Sequence, residues 1–222
     1  MKSLQVHIEI SPELYLKNPD SSELGRKIVS HSIELINDLG FEGFTFKKLG
    51  QKINSPESSI YRYFENKHTL LIYVLTWYWN WIDYRLVFAT ANIDSPLEKL
   101  KKAINLLTQA ITIDQSVSYV NEVLLNEIVV SESVKAYHTK NVDIENEKGF
   151  FKAYKKVVQR VSEMVLEVNQ EFEFSHMLVS TVIEGVHQQK YFAAHLPSLT
   201  DTKKGKDSVS EFYTNMVLKM LE

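Results

Sequence analysis

Apolar residues recur at three- and four-residue spacings almost throughout the chain. Two-residue alternation is confined to Val6-His7-Ile8-Glu9-Ile10. The first pattern predicts helices; the second predicts a lone strand, marginal without a partner. Leu24, Ile28, Leu35, Ile36 and Leu39 fall near one face of a helix starting at about Ser21. Asp20 and Glu23 are spaced as its capping box and Gly40 ends it. A second, short helix from Thr45 to Ile53 carries Phe46, Leu49 and Ile53 on one stripe, and a third from Pro56 to about Phe64 carries Ile60 and Phe64. A long fourth helix covers about 67–90. Ser95 and Pro96 then open a series at 96–113, 117–137, 146–171, 175–196 and 207–221. The expected class is all-α with about nine helices. Residues 1–20 form an extension, 21–74 a three-helix helix-turn-helix domain, and 75–222 a second helical domain.

The second and third helices can bury their narrow stripes only against each other and the first helix. Between them, Asn54 tolerates the left-handed conformation of a sharp turn, and Ser55 is placed to cap the third helix with Pro56 in its first turn. This is a helix-turn-helix. With Ile60 and Phe64 facing inward, Ser58, Ser59, Tyr61 and Arg62 point largely outward, bracketed by Lys47, Lys48 and Lys67. Double-stranded DNA would satisfy all of them: phosphates take the Lys, Tyr hydroxyl and backbone N–H donors, while base edges meet Glu57, Ser58 and Arg62. Charge fits this division. The chain has net charge −3, yet residues 45–67 hold Lys47, Lys48, Lys52, Arg62 and Lys67 against only Glu57 and Glu65.

The stretch "FEGFTFKKLGQKINSPESSIYRYFENKHTLL" resembles the DNA-binding domain of TetR-family transcriptional regulators. Ser59-Ile60-Tyr61-Arg62-Tyr63-Phe64, Lys67 and Leu70-Leu71 fit that family's recognition-helix pattern, over about residues 22–75. The family's common Ala-Gly-Val-Ser turn is Ile53-Asn54-Ser55-Pro56 here. The resemblance implies that Thr45, Lys48, Ser59, Tyr61, Tyr63 and Lys67 hold phosphates, with Glu57, Ser58 and Arg62 nearest the bases. It also implies a ligand-sensing, dimerising second domain and a regulator, a repressor whose ligand loosens it from DNA.

"LTWYWNWIDYRLVF" (residues 75–88) has Trp77, Trp81, Tyr84 and Phe88 on one helical face, with Tyr78 and Trp79 elsewhere. Two readings stay open, an aromatic core or the wall of a pocket for an apolar or aromatic effector. In the second, Tyr119, Tyr154, His187 and Tyr191 supply the polar contacts. At the C-terminal end, Val209, Phe212, Tyr213, Met216, Val217, Met220 and Leu221 form one broad stripe, and Leu178, Thr181, Val182, Gly185 and Val186 form another. Two such stripes suggest a four-helix homodimer interface. A two-fold dimer then needs half-sites ~34 Å apart or a multiple, hence a roughly palindromic operator.

Enzymatic chemistry finds little support. The chain lacks cysteine, a glycine-rich phosphate loop and a Ser-centred elbow, and His187 with His195 is poorly spaced for a metal. No cofactor or metal is expected. No apolar run approaches the ~18 residues of a membrane span, so a cytoplasmic protein is expected. The competing functions are a helical protein-interaction module and a small-molecule-binding protein that does not bind DNA.

Overall fold

The structure is a computed structural model, and it describes residues 8–113, 119–203 and 206–222. Eleven α-helices occur among the described residues: α1 (Glu23–Gly43), α2 (Phe46–Lys52), α3 (Glu57–Ile60), α4 (Lys67–Thr90), α5 (Pro96–Thr108), α6 (Glu122–Glu132), α7 (Val134–Tyr137), α8 (Val142–Glu147), α9 (Lys152–Val168), α10 (Ser175–His195) and α11 (Ser208–Leu221). The all-α class is borne out, with no strand among the described residues. The additional helices arise where the sequence pattern suggests continuity. Gly149, at φ 82°, splits the helix expected over 146–171. Phe150 N–H bonds the Glu145 carbonyl and Gly149 N–H the Asn146 carbonyl, the paired closure of a Schellman end. The helix expected from 117 begins at Glu122, capped by the Asn121 side chain; residues 117 and 118 lie outside the described residues.

The chain divides into two compact units, Met1–Asn80 with Ile111–Lys152, and Trp81–Ala110 with Ala153–Glu222. In the first, Ile28, Val29, Ile33 and Ile36 of α1, Phe46 and Leu49 of α2, and Ile60 and Phe64 are all buried. The α1 cap is Ser22, whose hydroxyl accepts the Gly25 N–H at 3.1 Å, rather than the expected Asp20. Asp20 instead lies in a 3-10 turn (Pro19–Ser21) and accepts the Tyr119 hydroxyl. Gly40, at φ 69°, breaks α1 as its position predicts. From Leu70 to Trp79, α4 is buried on every side. Its off-stripe aromatics keep their polar atoms satisfied: Tyr78 donates to Asn126 at 3.0 Å and Trp79 to Tyr137 at 2.9 Å. Such a helix is core all round, not half-solvated.

The described part of the extension is not a loose tail. Ile8, Ile10 and Leu14 are buried, Asn80 donates to the Glu9 carbonyl at 3.1 Å, and Leu16 N–H bonds the Tyr63 carbonyl at 2.8 Å. Residues 8–16 thus strap α4 to the end of the recognition segment.

In the second unit, Leu100, Ala103 and Ile104 of α5, Val157, Val161 and Val165 of α9, Val179, Val182, Ile183 and Val186 of α10, and Tyr213 and Val217 of α11 make the core. Ser210 ties α11 to α5 through the Thr108 hydroxyl at 2.8 Å and the Asn105 amide at 3.1 Å. Asp83, at the start of this unit's share of α4, takes Arg160 and Lys156 of α9 at 2.5 and 3.0 Å. Burial alone would raise that carboxyl; the two cations outweigh it and hold it below the usual range.

Candidate nucleic-acid interface

Thr45 caps α2, its hydroxyl accepting the Lys48 N–H at 3.2 Å, and Asn54 adopts φ 52°, the left-handed turn its side chain tolerates. Ser55 N–H closes the turn on the Gly50 carbonyl at 2.9 Å. The cap of α3 is Pro56, without a side-chain hydrogen bond, so Ser55 does not do the capping expected of it. The third helix is also shorter than its pattern suggests. It ends at Ile60, and Tyr63 N–H reaches the Ile60 carbonyl at 2.8 Å in the tighter three-residue register.

That register decides the side chains. Tyr61 is 48 % exposed, lying edge-on to Phe46 at 5.0 Å between ring centroids. Arg62 and Ser58 are exposed, while Ser55, Glu57 and Ser59 are half-buried. The Tyr61 hydroxyl makes only a long 3.5 Å approach to Glu57. Tyr63 is a correction. Three residues beyond Ile60, it returns to the inner side and is only 2 % exposed. Its hydroxyl bonds Ser22 at 2.8 Å, and Lys17 sits 5.1 Å from its ring centroid. Burial pushes the phenol up, but Ser22 and Lys17 outweigh it and leave it below the usual tyrosine range. Tyr63 positions the segment through Ser22 and Lys17.

The five basic side chains also divide. Lys67 donates to the Phe41 carbonyl at 3.0 Å, approaches those of Glu42 and Phe44 at 3.4 Å, and lies 4.6 Å from the Phe41 ring centroid. Its ammonium satisfies carbonyls at the end of α1, where a cation is favoured. Lys52 pairs with Glu34 at 2.7 Å, and Lys48 donates to the Gly43 carbonyl at 2.7 Å. Lys47 and Arg62 are exposed and have no hydrogen bond or ion pair among the described residues. From the other side, buried Glu132 of α6 accepts the Phe41 N–H at 3.2 Å and pairs with Lys135 at 2.5 Å. The α1–α2 corner is therefore gripped by two charged groups from outside the helix-turn-helix. Neither grip is visible in local sequence.

Residues 28–74 match the family model for bacterial regulatory proteins of the tetR family. That segment is a TetR-family DNA-binding domain. No curated protein sequence matches the chain. Among solved structures, this chain is similar to AibR in complex with isovaleryl coenzyme A and operator DNA, at 14% identity and TM-score 0.59, covering 86% of this chain and 97% of that one. It is similar to the fatty acid degradation regulator FadR from Bacillus halodurans at 12% identity and TM-score 0.57, covering 96% of both. It is also similar to the TetR-family regulator PfmR from Thermus thermophilus at 14% identity and TM-score 0.54, covering 88% of this chain and 98% of that one. At such identities these likenesses concern the fold.

The other assigned residues scatter. Trp77 is buried in the first unit, where Tyr119 gives its hydroxyl to Asp20. In the second unit Trp81 is buried, Tyr84 half-buried and Phe88 68 % exposed. Tyr154 donates to Glu184 at 2.6 Å, and Tyr191 is exposed on α10 beside His195. His187 is buried and its pKa is pushed down to about 3 by burial, with Lys190 adding to the shift. The 4.0 Å approach of Glu184 is therefore no ion pair at neutral pH.

The residues assigned to the dimer interface divide between the subunit core and its surface. Leu178, Val182, Val186 and Tyr213 are buried within their own subunit, and a Cβ at Gly185 would overlap the Tyr213 hydroxyl. The close helix approach that Gly185 allows is that of α10 to its own α11. The outward faces are Phe174, Met177 and Thr181 beside or on α10, and Phe212, Met216 and Met220 on α11; Met177 is 66 % and Phe212 59 % exposed. Among the described residues no cluster of three potential metal ligands occurs, and no helix is long and apolar enough to cross a membrane.

Proposed function

We propose that this DNA-binding transcriptional regulator is a ligand-responsive repressor, acting in the cytoplasm and without enzymatic activity. It binds a roughly palindromic operator as a homodimer and leaves it when a small apolar or aromatic effector binds. The observation that carries the DNA reading is the polar, exposed face of α2, α3 and the residues just after it. Lys47 and Arg62 stand there without acids of their own, beside exposed Ser58, Thr45 and Tyr61. In the complex, Thr45, Lys47, Lys48, Ser55, Ser59 and Tyr61 meet phosphates, and Glu57, Ser58 and Arg62 meet base edges. Lys67 and Tyr63 fix the corner and the recognition segment from behind.

Dimerisation rests on the outward faces of α10 and α11. Two copies meeting there would cover Phe174, Met177, Phe212 and Met220, large apolar side chains otherwise left to water. The effector reading rests on the aromatic end of α4, half-buried Tyr84 and exposed Phe88, whose rings lie 4.5 Å apart.

A gel shift with DNA flanking the protein's own gene, against random competitor, tests the whole. Sequence-selective retardation with two-fold-symmetric protection is the expected result. Equal retardation of every DNA, or none, sinks the regulator reading.

A further inference from the structure

Arg85 was not singled out by the sequence pattern, because a single arginine on a long helix is ordinarily solvated. It stands one turn beyond Trp81, so the two share a face of α4. Its guanidinium lies over the indole ring, 4.7 Å from the centroid, and Trp81 is fully buried. Nη1 is shut off from solvent and has no hydrogen-bond partner. No acid among the described residues pairs with it. The nearby buried acid, Asp83, lies two residues away on another face and is already held by Arg160 and Lys156.

A guanidinium cannot relieve such isolation by losing its proton. Arg85 is half-buried, so water reaches part of the guanidinium and only Nη1 calls for an added acceptor. The fork geometry of arginine matches the paired oxygens of a carboxylate or phosphoryl group. The same face grades outward from buried Trp81 through half-buried Tyr84 to exposed Phe88, an apolar lane leading to a cation.

We infer that Arg85 anchors the oxyanion of an effector whose apolar or aromatic body lies along Tyr84 and Phe88. This rests on the effector reading and narrows it: the ligand is an organic acid or acyl phosphoester, not a neutral hydrocarbon. The ring of Trp81 backs the guanidinium and holds it in the orientation that receives the oxyanion.

The test uses the full chain and two dyes sharing an aromatic body. Anilinonaphthalene sulfonate is anionic and phenylnaphthylamine is neutral. Dye fluorescence should show the anion bound about tenfold or more tightly than the neutral analogue. Arg85→Gln should remove that difference, weakening the anion about tenfold and leaving the neutral dye within about twofold. Arg85→Lys, keeping charge without the fork, should fall between. A thermal melt verifies folding of both variants, and Arg85→Lys alone suffices if Arg85→Gln does not fold.

Competition with decanoate, decanoyl coenzyme A and methyl decanoate separates the sources. Displacement by decanoate assigns a free carboxylate, displacement by the coenzyme A ester alone assigns phosphate, and either must weaken in Arg85→Lys. Equal affinity for both dyes, no binding of either, or anion affinity unchanged in the Arg85 variants overturns the inference. Operator release is scored separately. If the anion binds through Arg85 yet frees no DNA, the anion site stands and the effector reading falls. If the neutral dye frees DNA with Arg85 irrelevant, the reverse holds.

Discussion

Among the described residues two exposed faces stand out, and they are opposite in kind. The face of α2 and α3 carries Thr45, Lys47, Ser58, Tyr61 and Arg62; that of α10 and α11 carries Met177, Phe212 and Met220. Exposed lysines and serines need no explanation, because water solvates them well. Their significance comes from arrangement on a helix-turn-helix. Exposed Phe and Met on two neighbouring helices are themselves anomalous, since each leaves apolar surface in water at roughly 25 cal/mol per Å². The first face is informative by geometry and the second by energy. They should therefore fail differently when mutated.

The largest effect is expected at the apolar face. Met177→Glu with Phe212→Glu places carboxylates where the proposed two-fold contact excludes water. That should raise the dimer dissociation constant by at least a hundredfold, about 3 kcal/mol. Sedimentation should show folded monomers, their melting temperature lowered only by the lost association because neither side chain belongs to the subunit core. Leu178→Glu, one residue along, should instead unfold the subunit, since Leu178 is buried. A doubly substituted protein that stays dimeric would end the proposal for α10 and α11.

At the polar face the effects are smaller and separable. Arg62→Ala should cost ~1–3 kcal/mol at the cognate operator and relax one position of it. Lys47→Ala should weaken all DNA alike and lower the salt slope by ~0.9. Lys67→Met should show itself mainly in thermal stability, because its ammonium serves the carbonyls at the end of α1. Equal losses for Arg62→Ala on cognate and random DNA would exclude base reading.

The sequence was most informative where one local rule governs one local outcome. Thr45 caps α2, Asn54 takes the positive φ, and the stripe of Phe46, Leu49, Ile60 and Phe64 goes inside. It misled where a side chain could serve either of two masters. Tyr63 matches a pattern of outward phosphate contacts, but contraction of the turn after Ile60 rotates it inward. The α11 stripe is too broad for one neighbour: Tyr213 and Val217 go to the subunit core, Phe212 and Met220 stay outside. Periodicity reports apolar width, not which partner claims which half. The long-range grips of Lys67 and Glu132 on the α1–α2 corner left no local trace, because partners 26 and 91 residues apart share no helical register.

The smallest effect is expected inside the second unit. Behind the apolar face, His187 is buried on α10. Its pKa falls from 6.5 to about 3, because burial disfavours the charged imidazole and Lys190 repels it. Below pH 6.5 the unfolded chain binds a proton that the folded chain refuses, so acid removes stability. The window runs from about 7 down to about 3. At pH 6 the loss is about 0.8 kcal/mol, the value for an unfolded pKa of 6.5 and a folded group still neutral. Urea melts of the native chain and His187→Gln at pH 8 and pH 6 isolate it, since the variant keeps every other carboxylate and histidine. The native protein should lose more than the variant by that amount. An identical loss in both would mean that His187 gains a proton in the folded state, and that α10 does not enclose its inner face as tightly as its outer face is open.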